Sequence, residues 1–206
     1  ANSVVKDLPV PPRTSSVANN RSVAPEAVEI PGDKSVESSK PAADQGSFAN
    51  AREFVETVLP HARAAAKALG LNPLLITAQA ALETGWGKYV IRDSSGASTN
   101  NLFNIKADRA WQGEKAEVST LEYRGGVPVR EQAQFRQYGD IAESFADYVG
   151  FLKSNPRYQD ALAVASSDRD FAFGLQNAGY ATDPAYADKI LSIVQRLRAD
   201  DSLVDA

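Results

Sequence analysis

The chain has 206 residues, 43% of them hydrophobic, and a net charge of -4: enough for one domain with a real core, and without the basic excess that marks a nucleic-acid binder. It contains no cysteine, which excludes disulfides, thiol nucleophiles and cysteine metal sites together. No stretch approaches the roughly 20 apolar residues of a membrane-spanning helix.

Residues 1–46 contain no Phe, Trp or Tyr yet hold six of the eleven prolines. Such a segment buries too little apolar surface to offset an ordering cost of roughly 1–2 kcal/mol per residue. It reads as a Pro/Ser-rich tether; the opposing reading is a long arm ordered by packing on the domain or a neighbour. Methionine is absent even at position 1, which predicts a processed or cut chain with sequence missing upstream.

The folded domain is expected over 47–200, followed by a short tail at 201–206. Ser47 is the expected N-cap of a first helix that carries Phe48, Phe54, Val55, Val58 and Leu59 inward, is divided or kinked at Pro60, and stops at Gly70. Asn72 and Pro73 are a cap and a first-turn proline opening a second helix. "NLFNIKA" suits a short strand. "EVSTLEYRGGVPVREQAQFRQY" predicts a hairpin about Gly125-Gly126, with Pro128 marking an edge strand. Helices return with "IAESFADYVGFLKSN", "NPRYQDALAVAS", "DRDFAFGLQNAG" and "DPAYADKILSIVQRLRAD". The order, helices then a small β excursion then helices, predicts an α+β domain that is mostly helical.

Chemistry concentrates in "AQAALETGWGK". The Pro73–Thr84 helix is apolar in nearly every direction and belongs in the middle of a domain, yet it ends on Glu83, with Gln79 four residues earlier on the same face. Burial and the helix C-terminus both disfavour a negative charge there, so the expected pKa lies above the usual ~4.3. A carboxylic acid protonated near neutrality is what general acid catalysis requires. The plain alternative is a glutamate marking where the helix meets solvent. Gly85 and Gly87 allow tight turns about Trp86, whose flat face suits a sugar and equally a core plug. His61 reads as an ordinary helix histidine.

These motifs, together with "NNLFNIK", "STLEYRGG", "FRQYGDIAESFADYVGFL", "NPRY" and "AGYATDPAYADKI", resemble the glucosaminidase domain of bacterial peptidoglycan hydrolases, glycoside hydrolase family 73, and within it the flagellar type. The resemblance spans roughly 47–198. It implies a lysozyme-like domain with a small β-hairpin lobe over a substrate groove, and cleavage of the β-1,4 bond after N-acetylglucosamine. It places Glu83 on the family's catalytic acid, Glu122 on its second acidic position as base or water activator, and Tyr180 on its aromatic hydroxyl, with Tyr186 a nearby candidate for the same role. In a substrate-assisted route Tyr180 would instead orient the acetamido group. Asn104 stands where many relatives have glycine and is expected to alter a strand edge rather than the chemistry.

Gln79, Trp86, Asn101, Phe103, Lys106, Tyr123 and Tyr186 are the expected substrate-binding residues. Each has a plain reading too, such as Phe103 as core, Lys106 as a solvated charge and the asparagines as turn formers. The implied partners are peptidoglycan glycan strands and, through a missing N-terminal module, flagellar rod proteins. The implied compartment is the periplasm. No metal, cofactor, nucleic acid or membrane span is implied. Rival readings are a lytic transglycosylase, a muramidase, and a non-catalytic wall-binding or rod-scaffold module.

Overall fold

The computed structural model describes residues 48–124 and 127–200, with backbone alone over 120–124 and 127–131. The expected tether, Ser47, the Gly125-Gly126 turn and the tail at 201–206 lie outside the described residues.

Helix α1 (Ala51–Leu69) is capped three residues later than expected. Asn50 is the N-cap, accepting from the Glu53 amide at 3.0 Å, while the Glu53 carboxylate reaches back to the Ala49 amide at 2.6 Å. This reciprocal arrangement satisfies donors that a helix start leaves open. Phe48 therefore precedes the helix, and its ring packs edge-on against Phe54 at 5.0 Å. Pro60 does not divide α1, which runs through it unbroken. Pro60 and Glu56, whose carbonyl the proline leaves without a helical partner, both lie on the exposed face, where water can serve that oxygen.

Helix α2 (Pro73–Thr84) has the expected bounds. The Asn72 side chain accepts from the Leu74 amide, Pro73 occupies the first turn, and Gly85 closes the end at φ 58°. Ten of its twelve residues are buried. Full burial of a side chain such as Leu75 or Ile76 contributes about 1.5–3 kcal/mol, so α2 is the axle of the fold. It packs mainly on α1 and on α6 (Tyr186–Ala199).

"NLFNIKA" is not a strand. It forms turns with one isolated bridge, Lys106 to Phe135. Asn100 and Asn104 take φ of 52° and 50°, a left-handed conformation no strand tolerates and asparagine accepts better than most residues. Leu102, Phe103 and Ile105 are apolar because the loop pushes all three into the core, each 1% exposed or less.

Strands β1 (Lys115–Arg124) and β2 (Val127–Arg136) form a two-stranded antiparallel hairpin, in register from Lys115 opposite Arg136 to Arg124 opposite Val127. In a sheet of two, both strands are edges, and Pro128 fits without loss of a ladder. The hairpin base is tied down: the Ala107 amide donates to the Gln134 carbonyl and the Arg136 amide to the Ile105 carbonyl.

Helix α3 (Ile141–Ser154) is capped by Asp140, whose side chain accepts from the Glu143 amide. The single helix expected after Asn155 is instead a 3-10 turn, Pro156–Tyr158, and a five-residue α4 (Gln159–Ala163). The Gln159 side chain donates to the Lys153 carbonyl at 2.9 Å, folding the turn back on the end of α3. Helix α5 (Asp168–Asn177) follows its Ser167 cap. Helix α6 begins at Tyr186 rather than at Asp183, because the Asp183 side chain takes the Ala185 amide and pairs with Lys189, holding those residues as a turn.

Candidate functional site

Glu83 sits in the last turn of α2 and is 8% exposed. The chain leaves the helix abruptly just beyond it. Gly85, Trp86 and Gly87 have φ of 58°, 61° and 79°, three successive left-handed residues. The Trp86 amide returns to the Ala81 carbonyl at 2.9 Å, and the Tyr89 amide to the Thr84 carbonyl at 2.8 Å. The Thr84 hydroxyl donates to the Ala80 carbonyl and accepts from the Gly87 amide. A Cβ at Gly87 would lie 2.0 Å from the Phe48 ring. Thr-Gly-Trp-Gly is a compact reversal that closes α2 directly behind its acid.

The carboxyl of Glu83 is gripped from two sides. The Tyr186 hydroxyl, from the start of α6, donates to Oε1 at 2.9 Å. The Asn104 amide nitrogen donates to Oε2 at 3.2 Å and to the Glu83 backbone carbonyl at 2.9 Å. Behind Tyr186 the network continues inward: Gln79 Nε2 donates to the Tyr186 oxygen at 3.0 Å, and the Tyr148 hydroxyl donates to Gln79 Oε1 at 2.6 Å. Helices α2, α3 and α6 thus meet in one polar string inside an apolar core. Burial raises the Tyr148, Tyr180 and Tyr186 hydroxyls well above 10, and the nearby charge of Glu83 adds to the effect in each. They therefore remain neutral donors at physiological pH.

Of the expected site residues, Glu83 and Tyr186 are in direct contact, and Gln79 is one bond further in. Tyr180 is 0% exposed; its hydroxyl donates to the Phe103 carbonyl at 3.3 Å and its ring stacks near Tyr186 at 5.8 Å. Phe103 is stacked on Tyr148 at 4.0 Å. Asn101 is 0% exposed: its amide nitrogen donates to the Ile105 and Arg136 carbonyls and its oxygen accepts from the Ile105 amide, bracing the loop that carries Asn104. Trp86 is half-buried and meets Phe54 edge-on at 6.1 Å. Lys106 is half-buried beside the hairpin base, where its carbonyl accepts from Arg136 Nε at 3.3 Å. Glu122 and Tyr123 belong to β1, opposite Val129 and Pro128, but their side chains lie outside the described residues.

Two participants went unassigned at the sequence level. Tyr148 is one of several inward residues of α3, with nothing in its spacing to separate it from Phe145. Asn104 was expected at a strand edge, and its left-handed backbone instead turns its amide onto Glu83. Among the described residues no three His, Cys, Asp or Glu side chains gather as a metal set, and no helix is long and apolar enough to cross a membrane.

Residues 59–199 match the family described as glucosaminidase, mannosyl-glycoprotein endo-beta-N-acetylglucosaminidase. The chain belongs to the glucosaminidase family. It is 46% identical over 199 residues to the "Peptidoglycan hydrolase FlgJ" of Vibrio parahaemolyticus, covering 97% of this chain and 61% of that protein. It is 41% identical over 204 residues to the protein of the same name from Pseudomonas aeruginosa, covering 99% of this chain and 51% of that one. The chain thus spans little more than half the length of these curated relatives. Among solved structures, the glycoside hydrolase domain of Salmonella typhimurium FlgJ, C-terminally truncated, superposes with a TM-score of 0.62 at 41% identity, covering 73% of this chain and 99% of that one. The mostly helical, lysozyme-like architecture with a small hairpin is the fold of this glucosaminidase-family chain.

Proposed function

We propose that the chain is a peptidoglycan hydrolase that cleaves the β-1,4 bond between N-acetylglucosamine and N-acetylmuramic acid, with Glu83 as general acid. The observation that carries this reading is the buried carboxyl at the end of α2, held by Tyr186 and Asn104. Protonated Glu83 donates to the glycosidic oxygen as the bond to the anomeric carbon breaks. Glu122, on the hairpin, is the second carboxylate and activates the attacking water; the alternative is attack by the substrate's own N-acetyl group. Tyr180, through its bond to the Phe103 carbonyl, supports the loop that brings Asn104 to the acid. The relatives named peptidoglycan hydrolase support the substrate. The flagellar resemblance extends the reading to opening the wall for the rod, in the periplasm, with a rod-binding module upstream of the tether.

The test is digestion of purified peptidoglycan by the wild type and by Glu83→Gln, with the products reduced by borohydride and identified by mass spectrometry. Reduced N-acetylglucosamine ends are expected from the wild type. Glu83→Gln is expected to keep the fold and lose about 10²–10⁴-fold in rate, the usual contribution of a general acid. Reduced N-acetylmuramic acid ends would mean a muramidase, and anhydro ends a lytic transglycosylase. Undiminished lysis by Glu83→Gln would remove Glu83 from the chemistry.

A further inference from the structure

We infer that Asn104 is a positioning residue that fixes the Glu83 carboxyl and lowers its proton affinity, setting the upper pH limit of the acid's working range. This rests on the reading of Glu83 as the proton donor. The geometry is specific. One amide nitrogen serves two oxygens of the same residue, the Glu83 backbone carbonyl at 2.9 Å and Oε2 at 3.2 Å, so it ties the side chain to its own helix end. The opposite amide orientation would set Asn104 Oδ1 against two acceptors, so the pair of Glu83 oxygens determines which end faces them. Asn104 Oδ1 is left buried without a hydrogen-bond partner, the counterpart of a nitrogen committed twice. The backbone obeys the same demand, since φ of 50° at Asn104 is what aims the amide back at α2.

The effect on Glu83 is a matter of charge. A neutral N–H donor stabilises the carboxylate over the carboxylic acid and so opposes burial, which favours the neutral form. Tyr186 from α6 donates to the other oxygen, and the buried hydroxyls of Tyr148 from α3, Tyr158 from the 3-10 turn and Tyr180 before α6 also feel the charge of Glu83. All of these are neutral near pH 7, and Asn104 and Tyr186, which donate to the carboxyl itself, work against burial there. The charged side chains of the hairpin between 120 and 131 lie outside the described residues, and the contribution of Glu122, the one acid there assigned a role, is removed by experiment.

The variants are Asn104→Gly, which accepts the left-handed backbone without strain, and Asn104→Asp, which keeps the shape and replaces the donor with an acceptor. The Glu83 carboxyl carbon is followed by NMR against pH in the full chain labelled at glutamate, its signal assigned by its loss in Glu83→Gln. The titrations are repeated in a Glu122→Gln background. Loss of one hydrogen bond to a charged group is expected to raise the Glu83 midpoint by about one pH unit in Asn104→Gly, and Asn104→Asp is expected to raise it at least as far. The alkaline limb of kcat/KM on peptidoglycan should move upward by the same amount. A merely structural loop residue would lower stability or rate and leave the midpoint in place, so an unchanged midpoint in both variants overturns the inference. Activity retained by Glu83→Gln would instead overturn the assignment of the acid, while the carboxyl titration would still decide what Asn104 does to it.

Discussion

Gln79 commits both ends of its amide to tyrosines, accepting from Tyr148 at 2.6 Å and donating to Tyr186 at 3.0 Å, at 1% exposure. A residue so placed has no water to fall back on. Removing the Tyr148 hydroxyl strands Gln79 Oε1, and removing the Tyr186 hydroxyl strands Gln79 Nε2 and takes a donor from Glu83. Each of Tyr148→Phe and Tyr186→Phe is therefore expected to cost about 1–3 kcal/mol in urea unfolding, the usual penalty of an orphaned buried group. Because both hydroxyls act on the same amide, the double variant should fall short of additivity by at least about 0.5 kcal/mol. Strict additivity would mean that Gln79 repacks and the string is not a unit. The sequence reveals Glu83 and Gln79 through their spacing on a buried helix, but not what they bind, because the partners of Gln79 lie 69 and 107 positions away and those of Glu83 lie 21 and 103.

At the level of elements, the hairpin is mounted on α3 by one mostly buried ion pair. Arg136, at the end of β2, places one guanidinium nitrogen 2.8 and 2.9 Å from the two Asp147 oxygens, and the Tyr138 hydroxyl donates to the same carboxylate at 2.7 Å. Trp111 covers the guanidinium at 4.5 Å. Asp147→Ala would leave the arginine charge, 11% exposed, with Asp108 at 3.9 Å as its one remaining carboxylate among the described residues. The expected cost is about 3 kcal/mol, the low end for breaking a buried pair, because Asp108 and partial solvent access soften it. Hydrogen exchange should accelerate over 115–136 more than in α2; equal acceleration everywhere would mean that the pair stabilises the domain and not the hairpin's mounting. Elements of this kind differ in how legible they were. The bounds of α2 follow from an Asn-Pro start, a fully apolar body and a glycine stop, all local signals. "NLFNIKA" misleads because Leu102, Phe103 and Ile105 meet the compositional test of a strand, while its conformation is set by side-chain bonds. Asn101 bonds both polar groups of the Ile105 backbone, with Nδ2 on its carbonyl and Oδ1 on its amide, doing in a turn what a neighbouring strand would do in a sheet. Pro60 does not divide α1: it lies on the exposed face, where water can serve the carbonyl it leaves without a helical partner.

Across the whole molecule, the core and the site are the same object. Four tyrosines from α3, the 3-10 turn and the segment entering α6 converge on the end of α2, and Tyr148, Tyr158, Tyr180 and Tyr186 are all 1% exposed or less. Burial is the first cause raising each hydroxyl above the ordinary value of 10.0, to about 12 for Tyr158 and well above 10 for the other three. In the unfolded chain these groups lose their protons near pH 10, and in the folded chain they keep them. Below pH 10 both states are fully protonated, so the stability carried by the neutral tyrosines is complete there. Above pH 10 the unfolded state binds fewer protons than the folded one, and stability falls as pH rises. Each such group contributes a slope of about 1.4 kcal/mol per pH unit, so Tyr148, Tyr180 and Tyr186 together give about 4 kcal/mol per unit. A domain whose total stability is about 5–15 kcal/mol would then unfold within roughly one to four units above pH 10. Urea midpoints measured at successive pH values from 9 upward should hold level and then drop steeply past 10, with phenolate absorbance from the buried tyrosines appearing only together with unfolding. A gradual rise in phenolate absorbance in the still-folded chain would show that water reaches these hydroxyls. The closed string behind Glu83 would then be open to solvent, and the burial that suits Glu83 to hold a proton would be lost with it.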